Sequence, residues 1–226
     1  MDVVVERHGS QFRLVQVADE LVPAVRKAAF ASRDGYWFKE FPAGTPHLDH
    51  AWTNFERLIL PMLRQAAGLD PVPWDTALEE VCRRLDPAGI DWWLVGSAAL
   101  AVRGIPVTPG DLDLVVSDAD ARRVGDLLLD GLVEPVAPAD WFCRWWGRAM
   151  LGARVEWVGG VGPAADEPET TDFGPTAAAR MQVVPWRGRQ LRVPPLDLQR
   201  AVSLRRGLHD RVRLIDAFTA GTVASA

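Results

Sequence analysis

The chain has 226 residues, of which 48% are hydrophobic, enough to bury a core of ordinary size. Its net charge of −5 argues against a broad nucleic-acid-binding face, because such faces are usually basic. The two cysteines, Cys82 and Cys143, form no disulfide framework, the N-terminus lacks an apolar signal core, and no uncharged apolar run reaches about 18 residues. We therefore expect a cytoplasmic protein with no membrane partner.

The first 70 residues predict a hairpin followed by helices. Turn-like residues 8–10 separate two short apolar runs, and a helical period comes after them. The predicted elements are a hairpin over Val3–Glu6 and Phe12–Val17, a helix over Asp19–Arg33, a loop over 34–46 and a helix over His47–Ala67. Prolines after the last helix suggest a boundary, so we expect an N-terminal hairpin and helical extension over 1–70 and one further domain over 71–226.

The rest of the chain alternates helical and strand patterns, which is typical of an α/β (α+β) fold with a small mixed sheet packed by helices. Strands are predicted over Ile90–Val95, Asp111–Val116, Trp141–Trp146, Arg154–Val158, Met181–Val184 and Gln190–Val193. Helices are predicted over Thr76–Leu85, Ser97–Arg103, Ala119–Leu129, Leu196–Arg206 and His209–Ala220. Residues 159–176 are rich in glycine, proline and acids and predict a mobile loop.

One junction between a strand and a helix carries residues suited to bind phosphate. Gly96 and Ser97 come directly after the strand that ends at Val95. Because Gly96 lacks a Cβ, a phosphate can approach the backbone, and the Ser97 hydroxyl can cap the helix or bind a phosphate oxygen. The N–H groups at a helix start add donors. A Gly-Ser pair alone is more often an ordinary turn, so the assignment depends on residues further along the chain.

Two aspartates in the next predicted strand are spaced for metal binding. Asp111 and Asp113 alternate with leucines, so both carboxylates share one face. Carboxylates suit Mg²⁺, and two such ions can clamp the attacking and leaving oxygens of a displacement at phosphorus. Glu156, on a later strand, is the best third acid, as a ligand of the second ion or as the base for an acceptor. Taken alone, such an aspartate pair is more often a solvated strand face, and a surface position on its strand is the alternative for Glu156.

In this order and spacing, Val95-Gly96-Ser97 and Asp111-Leu112-Asp113-Leu114 resemble the nucleotidyltransferase superfamily that includes DNA polymerase β. The likeness is greatest to small bacterial members: lincosamide and aminoglycoside nucleotidyltransferases and the AbiEii-type toxins. It implies the nucleotidyltransferase fold, two Mg²⁺ ions, ATP or another NTP as co-substrate, and transfer of a nucleoside monophosphate, expected to be AMP. Glu156 matches the later strand acid of the family's pattern.

Two arginines are further candidates for contact with the nucleotide. Arg200 is nearest to the place where the family often has a lysine in the first closing helix. Arg103 lies between the two motifs, and a surface salt bridge is an equally good explanation for it. The predicted site comprises Asp111, Asp113 and Glu156 for catalysis and metal binding, with Gly96, Ser97, Arg103 and Arg200 for the nucleotide.

Three classes of function remain open for the acceptor side. A small molecule such as an antibiotic is expected first, because acids in the 159–176 loop could attract a cationic compound, although a solvated loop is the simpler explanation. A toxin-like enzyme acting on tRNA or protein would need a basic groove. A non-catalytic binding module that keeps the fold is the third class. The loop acids are Asp166, Glu167, Glu169 and Asp172, and the groove arginines are Arg200, Arg205, Arg206 and Arg211.

Three tryptophans precede the strand that carries Glu156. They are Trp141, Trp145 and Trp146. Core packing is the expected role, and a stacking wall for a nucleobase or a ring-shaped acceptor is the alternative.

Overall fold

The computed structural model describes residues 2–139 and 141–224. The strands are β1 (Val3–His8), β2 (Gln11–Val17), β3 (Ala31–Arg33), β4 (Tyr36–Glu40), β5 (Trp92–Val95), β6 (Leu112–Val116), β7 (Leu132–Pro138), β8 (Trp145–Met150), β9 (Arg154–Gly159), β10 (Gln182–Trp186) and β11 (Arg189–Val193). The helices are α1 (Val22–Lys27), α2 (Leu48–Ala66), α3 (Trp74–Leu85), α4 (Gly96–Ala101), α5 (Ala121–Leu127), α6 (Pro175–Ala178), α7 (Leu196–Arg205) and α8 (His209–Ala224).

A five-stranded mixed sheet forms the centre, in the order β5-β6-β9-β8-β7. The pair β6 and β9 is parallel, whereas the other neighbours are antiparallel. A second sheet has the order β1-β2-β4-β3, and β10 and β11 form a hairpin. The predicted fold class, α/β with a small mixed sheet packed by helices, is confirmed.

The two faces of the central sheet differ in chemistry. Leu112, Leu114 and Trp157 point into the hydrophobic core, and the Trp157 indole donates a hydrogen bond to the backbone carbonyl of Ala121 at 2.9 Å. Because side chains alternate along a strand, the residues between them face the other way. The core therefore fixes which acids lie on the opposite face.

The N-terminal extension is less helical than predicted. The expected helix over Asp19–Arg33 is shortened to α1, which ends before Ala29, a residue with a φ of +59°. The predicted loop over 34–46 contains β4, whose aromatic residues favour a strand. Later in the chain, β7 was not predicted, and the strand expected over Trp141–Trp146 begins only at Trp145.

The largest hydrophobic cluster joins the N-terminal extension to the central sheet. A single cluster of buried residues contains Phe12 and Phe55 from the N-terminal extension together with Leu78 and Trp157. Asn54 of α2 donates hydrogen bonds to the carbonyls of Leu129 and Leu132, at 2.8 and 3.1 Å. The division of the chain into an N-terminal extension (1–70) and a further domain (71–226) stays a prediction. Within residues 2–139 and 141–224, no helix is both long and apolar enough to cross a membrane.

Candidate active site

Three predicted acids lie on the same face of two neighbouring strands. Asp113 on β6 is the register partner of Glu156 on the parallel strand β9 and of Val95 on β5. Asp111 precedes β6 by one residue, so that it lies two positions from Asp113 on that face. Gly96 is the residue directly after Val95. The Gly-Ser junction and the Asp pair are therefore adjacent, as the spacing predicts.

Gly96 makes room for a carboxylate. Its φ is +66°, and a Cβ built on it would lie 2.6 Å from Oδ2 of Asp113. Only glycine combines that backbone conformation with so close an approach. Sequence reasoning explained Gly96 by a phosphate, whereas the neighbour that excludes a side chain here is Asp113.

A C-terminal helix contacts the backbone of the Gly96–Ser97 junction. The buried Gln199 of α7 donates a hydrogen bond to the carbonyl of Gly96 at 3.1 Å. The Ser97 hydroxyl, which is largely buried, has no hydrogen-bond partner among the described residues and is available to a ligand. Since α4 has only six residues, its dipole contributes less than the sequence interpretation assumed.

Replacing Gly96 with alanine is expected to weaken binding of Mg²⁺-ATP by more than about tenfold, because the new methyl group displaces the Asp113 carboxylate; tenfold corresponds to about 1.4 kcal/mol. Gly68 provides the matched control, since its φ is +73° and a Cβ there would meet nothing within 4 Å. Both variants strain the backbone, but only Gly96→Ala should alter binding. Isothermal titration calorimetry on the two variants measures the difference, and equal affinities would contradict this role of Gly96.

Two of the three acids, Asp111 and Glu156, form ion pairs with arginines. Arg154, at the start of β9, forms a close ion pair with Asp111, and its Nε lies 3.1 Å from Oε1 of Glu156. Arg148 on β8 donates a hydrogen bond from Nε to the same Glu156 oxygen at 2.8 Å. Burial opposes ionisation of Glu156, but these two arginines outweigh it and lower its pKa below the usual value. Glu156 therefore lies where predicted, but as the partner of two arginines.

The ion pairs continue into the N-terminal extension. Arg148 also pairs closely with Glu134 of β7 and donates a hydrogen bond to the carbonyl of Ala28 at 3.3 Å. Lys39 of β4 lies 3.3 Å from Glu134. Burial lowers the pKa of Lys39, although Glu134 acts in the opposite direction. The N-terminal residues thus help to fix the position of Glu156.

Asp113 is the acid left without a partner. Among residues 2–139 and 141–224, its carboxylate has no hydrogen bond or ion pair. Burial and the nearby carboxylates of Asp111 and Glu156 raise its pKa well above the usual value. Such a group would be stabilised in its charged form by a bound cation.

The residues present fit one divalent cation better than two. Mg²⁺ accepts one or two protein carboxylates and takes its other ligands from phosphates and water, which suits Asp111 and Asp113. In the described part of the chain, no three His, Cys, Asp or Glu side chains are placed to hold a metal ion together. The Oε1 atom of Glu156 already contacts Arg148 and Arg154, and the role of Glu156 as a third metal ligand stays a prediction.

Two of the acceptor-side candidates, Asp172 and Arg211, lie near the three acids. Asp172 is buried, and its charge contributes to the raised pKa of Asp113. Burial raises the pKa of Asp172 as well, although nearby arginines oppose this. Arg211 of α8 is half-buried and has no hydrogen bond or ion pair within the described residues, and it lies in the field of Asp172, Asp111 and Asp113. No local sequence pattern marks either residue, because only the tertiary fold brings them to the site.

Both predicted phosphate-binding arginines have structural partners instead. Arg103 donates hydrogen bonds at 2.7 Å to the Gln182 side chain and the Pro194 carbonyl, which fastens the β10–β11 hairpin. Arg200 forms an ion pair with Asp216 of α8 at 2.6 Å. These contacts give both guanidinium groups partners within the protein, and the nucleotide role of Arg103 and Arg200 stays a prediction.

Acidic side chains of the loop after β9 form hydrogen bonds and an ion pair within the protein. Asp166 accepts hydrogen bonds from the backbone N–H groups of Thr171 and Thr176, both at 2.8 Å. Glu169 lies 2.9 Å from Arg205 of α7. Asp166 and Glu169 therefore brace the loop that carries Asp172, while Glu167 and Glu169 are exposed to solvent as predicted.

The three tryptophans divide between packing and exposure. Trp145 and Trp146 are half-buried, and the Trp145 indole donates a hydrogen bond to Asp118 at 2.9 Å. Trp141 is 76% exposed, which corrects the expectation of core packing, and its ring lies 4.3 Å from that of Phe142. Phe142 in turn packs against Phe173, the residue after Asp172.

Comparison with known proteins gives matches among solved structures alone. No family model and no curated protein matches the chain. A candidate nucleotidyltransferase from Thermotoga maritima is 18% identical with a TM-score of 0.46, over 64% of this chain and 91% of that one. An antigenic nucleotidyltransferase-like protein from Paracoccidioides brasiliensis is 15% identical with a TM-score of 0.42, over 65% and 78%. ANT(2'')-Ia, in complex with adenylyl-2''-tobramycin, is 15% identical with a TM-score of 0.39, over 66% and 92%.

Proposed function

We propose that the chain is a Mg²⁺-dependent nucleotidyltransferase that moves a nucleoside monophosphate, expected to be AMP, from an NTP to a hydroxyl acceptor. The observation that carries this proposal is the pair Asp111 and Asp113 on one sheet face beside Gly96, with the Asp113 carboxylate unpartnered among the described residues. An unpaired carboxylate that is half-buried next to two others is costly unless a ligand uses it. A divalent cation with a triphosphate is the ligand class that this donor set favours.

Different residues of the site would bind the metal ion and the phosphates. Asp111 and Asp113 would hold Mg²⁺, which when bound supplies positive charge to the phosphates and to the leaving pyrophosphate. The Ser97 hydroxyl can donate to a phosphate oxygen. Arg211 can pair with a phosphate, since its guanidinium has no partner among the described residues.

In this proposal, Asp172 is the general base that accepts the proton of the acceptor hydroxyl. Glu156 is a weak base because Arg148 and Arg154 lower its pKa. Asp172 has a raised pKa and lies close enough to Asp113 to influence it. A carboxylate whose pKa moves towards neutrality is the better general base.

Asp172→Asn is expected to slow transfer by about 10²–10⁴-fold, the usual contribution of a general base. In the unchanged protein, the rate should fall as the pH drops through the raised pKa of Asp172, because the carboxylate becomes protonated. With saturating Mg²⁺ and ATP, so that the bound cation keeps Asp113 ionised, that acidic limb should be missing from the profile of the variant. Glu167→Gln, which changes another acid of the same loop, is the control and should keep both the rate and the limb. An unchanged limb in Asp172→Asn would contradict the assignment.

A small-molecule acceptor is favoured over a polymer. Of the four arginines that could form a basic groove, Arg200 is neutralised by Asp216 and Arg205 by Glu169. The chain carries a net charge of −5, which does not favour RNA. The loop acids Asp166 and Glu169 are engaged within the protein as well, so a cationic acceptor has no special advantage.

The test is transfer of label from ATP that carries ³²P at the α-phosphate. The acceptors offered are a panel of small hydroxyl compounds that includes aminoglycosides, total tRNA, and the protein itself. Label on a small compound, lost in Asp111→Asn and in Asp113→Asn, is the expected result. Label on tRNA or protein would leave the nucleotidyltransferase proposal standing and overturn the acceptor class.

A second candidate is a non-catalytic module that binds nucleotide. It is favoured by the close ion pair between Arg154 and Asp111, which already neutralises one of the two metal ligands. Such a module would bind ATP with Mg²⁺ and yet release no pyrophosphate in the presence of any acceptor. Pyrophosphate release measured alongside the label separates the two candidates.

A further inference from the structure

The guanidinium of Arg154 lies between two of the acids assigned to metal binding. Its Nη2 pairs closely with Oδ2 of Asp111, and its Nε lies 3.1 Å from Oε1 of Glu156. The Arg154 side chain is 6% exposed, so water does not compensate these charges. The planar fork of an arginine suits a position between two carboxylates, and its charge is permanent.

Arg148 prevents Glu156 from leaving this arrangement. It donates to the Glu156 carboxylate at 2.8 Å, and its own side chain is 2% exposed. Glu134 and the Ala28 carbonyl accept hydrogen bonds from another nitrogen of the same guanidinium. If Glu156 turned towards a metal ion, Arg148 would lose one partner of a buried charge, which is costly.

The formal charges agree with this geometry. Glu134 is balanced by Lys39, which leaves Arg148 and Arg154 to balance Asp111, Asp113 and Glu156. Together these two guanidinium groups carry the same positive charge as one Mg²⁺ ion. Among the described residues, the acid of this group without a partner is Asp113, which needs one further cation.

From these observations we infer that Arg154 is a resident cation that takes the place of a second metal ion, so that the site binds one divalent cation per nucleotide. The inference rests on the proposed function. Arg154 acts as a positioning residue: it holds Asp111 and Glu156 in register, while Asp113 and the free oxygen of Asp111 serve the remaining ion. The two-ion expectation from the sequence is thereby revised to one ion.

The test counts Mn²⁺ ions bound to the full chain in the presence of α,β-methylene-ATP. Electron paramagnetic resonance of free Mn²⁺ gives the number bound, and a sample of nucleotide without protein supplies the blank. One ion per chain is expected. Two ions would overturn the inference and leave the proposed function intact. No bound ion would overturn the proposed function and the inference with it.

Two substitutions in Arg154 examine its part directly. Arg154→Gln removes the charge and should raise the count from one ion to two, whereas Arg154→Lys keeps the charge and should leave it at one. Arg187→Gln removes an exposed arginine that pairs with Asp75 and Glu79 of α3, and it is the matched control. A folded Arg154→Gln variant that still binds one ion would overturn the inference.

Glu156→Gln supplies a measurement that does not depend on removing a buried arginine. Because Glu156 is not a ligand when Arg154 and Arg148 hold it, the variant should bind one Mn²⁺ with an affinity within about threefold of the unchanged protein. A loss of affinity of tenfold or more would show that Glu156 ligates the ion and would overturn the inference.

Discussion

Asp113→Asn is expected to raise the melting temperature of the protein while abolishing nucleotidyl transfer. Asp113 is held in a half-buried position beside Asp111 and Glu156 without a hydrogen bond or ion pair from any described residue, and its pKa is well above the usual value. A raised pKa means that the ionised group costs free energy in the folded state at neutral pH. Asparagine removes that charge at nearly the same volume.

Thermal unfolding at pH 7 measures the effect, and each 1 kcal/mol corresponds to about 2–4 °C in a protein of this size. Mg²⁺ with ATP should stabilise the unchanged protein and have little effect on Asp113→Asn. Transfer should fall by at least about 10³-fold, since a metal ion supplies several kcal/mol of charge stabilisation.

Asp111→Asn is the variant to compare with Asp113→Asn. It should abolish transfer to the same extent but lower the melting temperature, because the buried Arg154 loses its close partner. Opposite changes in stability from two neighbouring aspartates are a specific signature. Full activity in both variants, or a lower melting temperature in Asp113→Asn, would contradict this account of the site.

Arg148→Met is expected to destabilise the protein by about 3–5 kcal/mol at pH 7, the usual cost of removing one partner from a buried ion pair. Methionine fills a similar volume but leaves the buried Glu134 and the half-buried Glu156 without this partner. Urea denaturation measures the loss. Arg187→Met, which breaks an exposed pair with Asp75, should cost no more than about 1 kcal/mol.

The pH dependence of stability should change sign in this variant. In the unchanged protein the pKa of Glu156 is lowered, so its contribution is present above the pKa of the unfolded chain and is lost as the pH falls. Without Arg148, burial outweighs the remaining effect of Arg154 and raises the pKa of Glu156, so the variant should gain stability as the pH falls and Glu156 becomes protonated. Adding Glu134→Gln and Glu156→Gln to Arg148→Met should restore part of the lost stability. A loss below about 1 kcal/mol in Arg148→Met alone would contradict the role of this network.

Local pattern was enough to predict the core of the site. The period of two along β6 sets Asp111 and Asp113 on one face, and the Gly96–Ser97 turn comes directly after the end of the preceding strand. The neighbouring position of Glu156 also agrees with the predicted alternation on β9. Each of these features depends on residues close in sequence or on one strand pairing.

The ion pairs of Arg148 and Arg154 with the acids were not predicted from the sequence. Arg154 lies two residues before Glu156 on the predicted strand, so the same period of two places it on the acid face; this signal was present and was not used. Arg148 required knowledge that β8 pairs with β9, in a segment whose predicted strand ended at Trp146. Lys39 and Ala28 reach the network only through tertiary packing, which local patterns do not encode.

The most direct test of the central claim is calorimetric titration of the protein with ATP in the presence and absence of Mg²⁺. The account predicts binding with Mg²⁺ that is lost in EDTA and lost in the double variant Asp111→Asn/Asp113→Asn. Binding of equal affinity in EDTA, or unchanged binding by the double variant, would contradict the claim that these two carboxylates hold a metal–nucleotide complex.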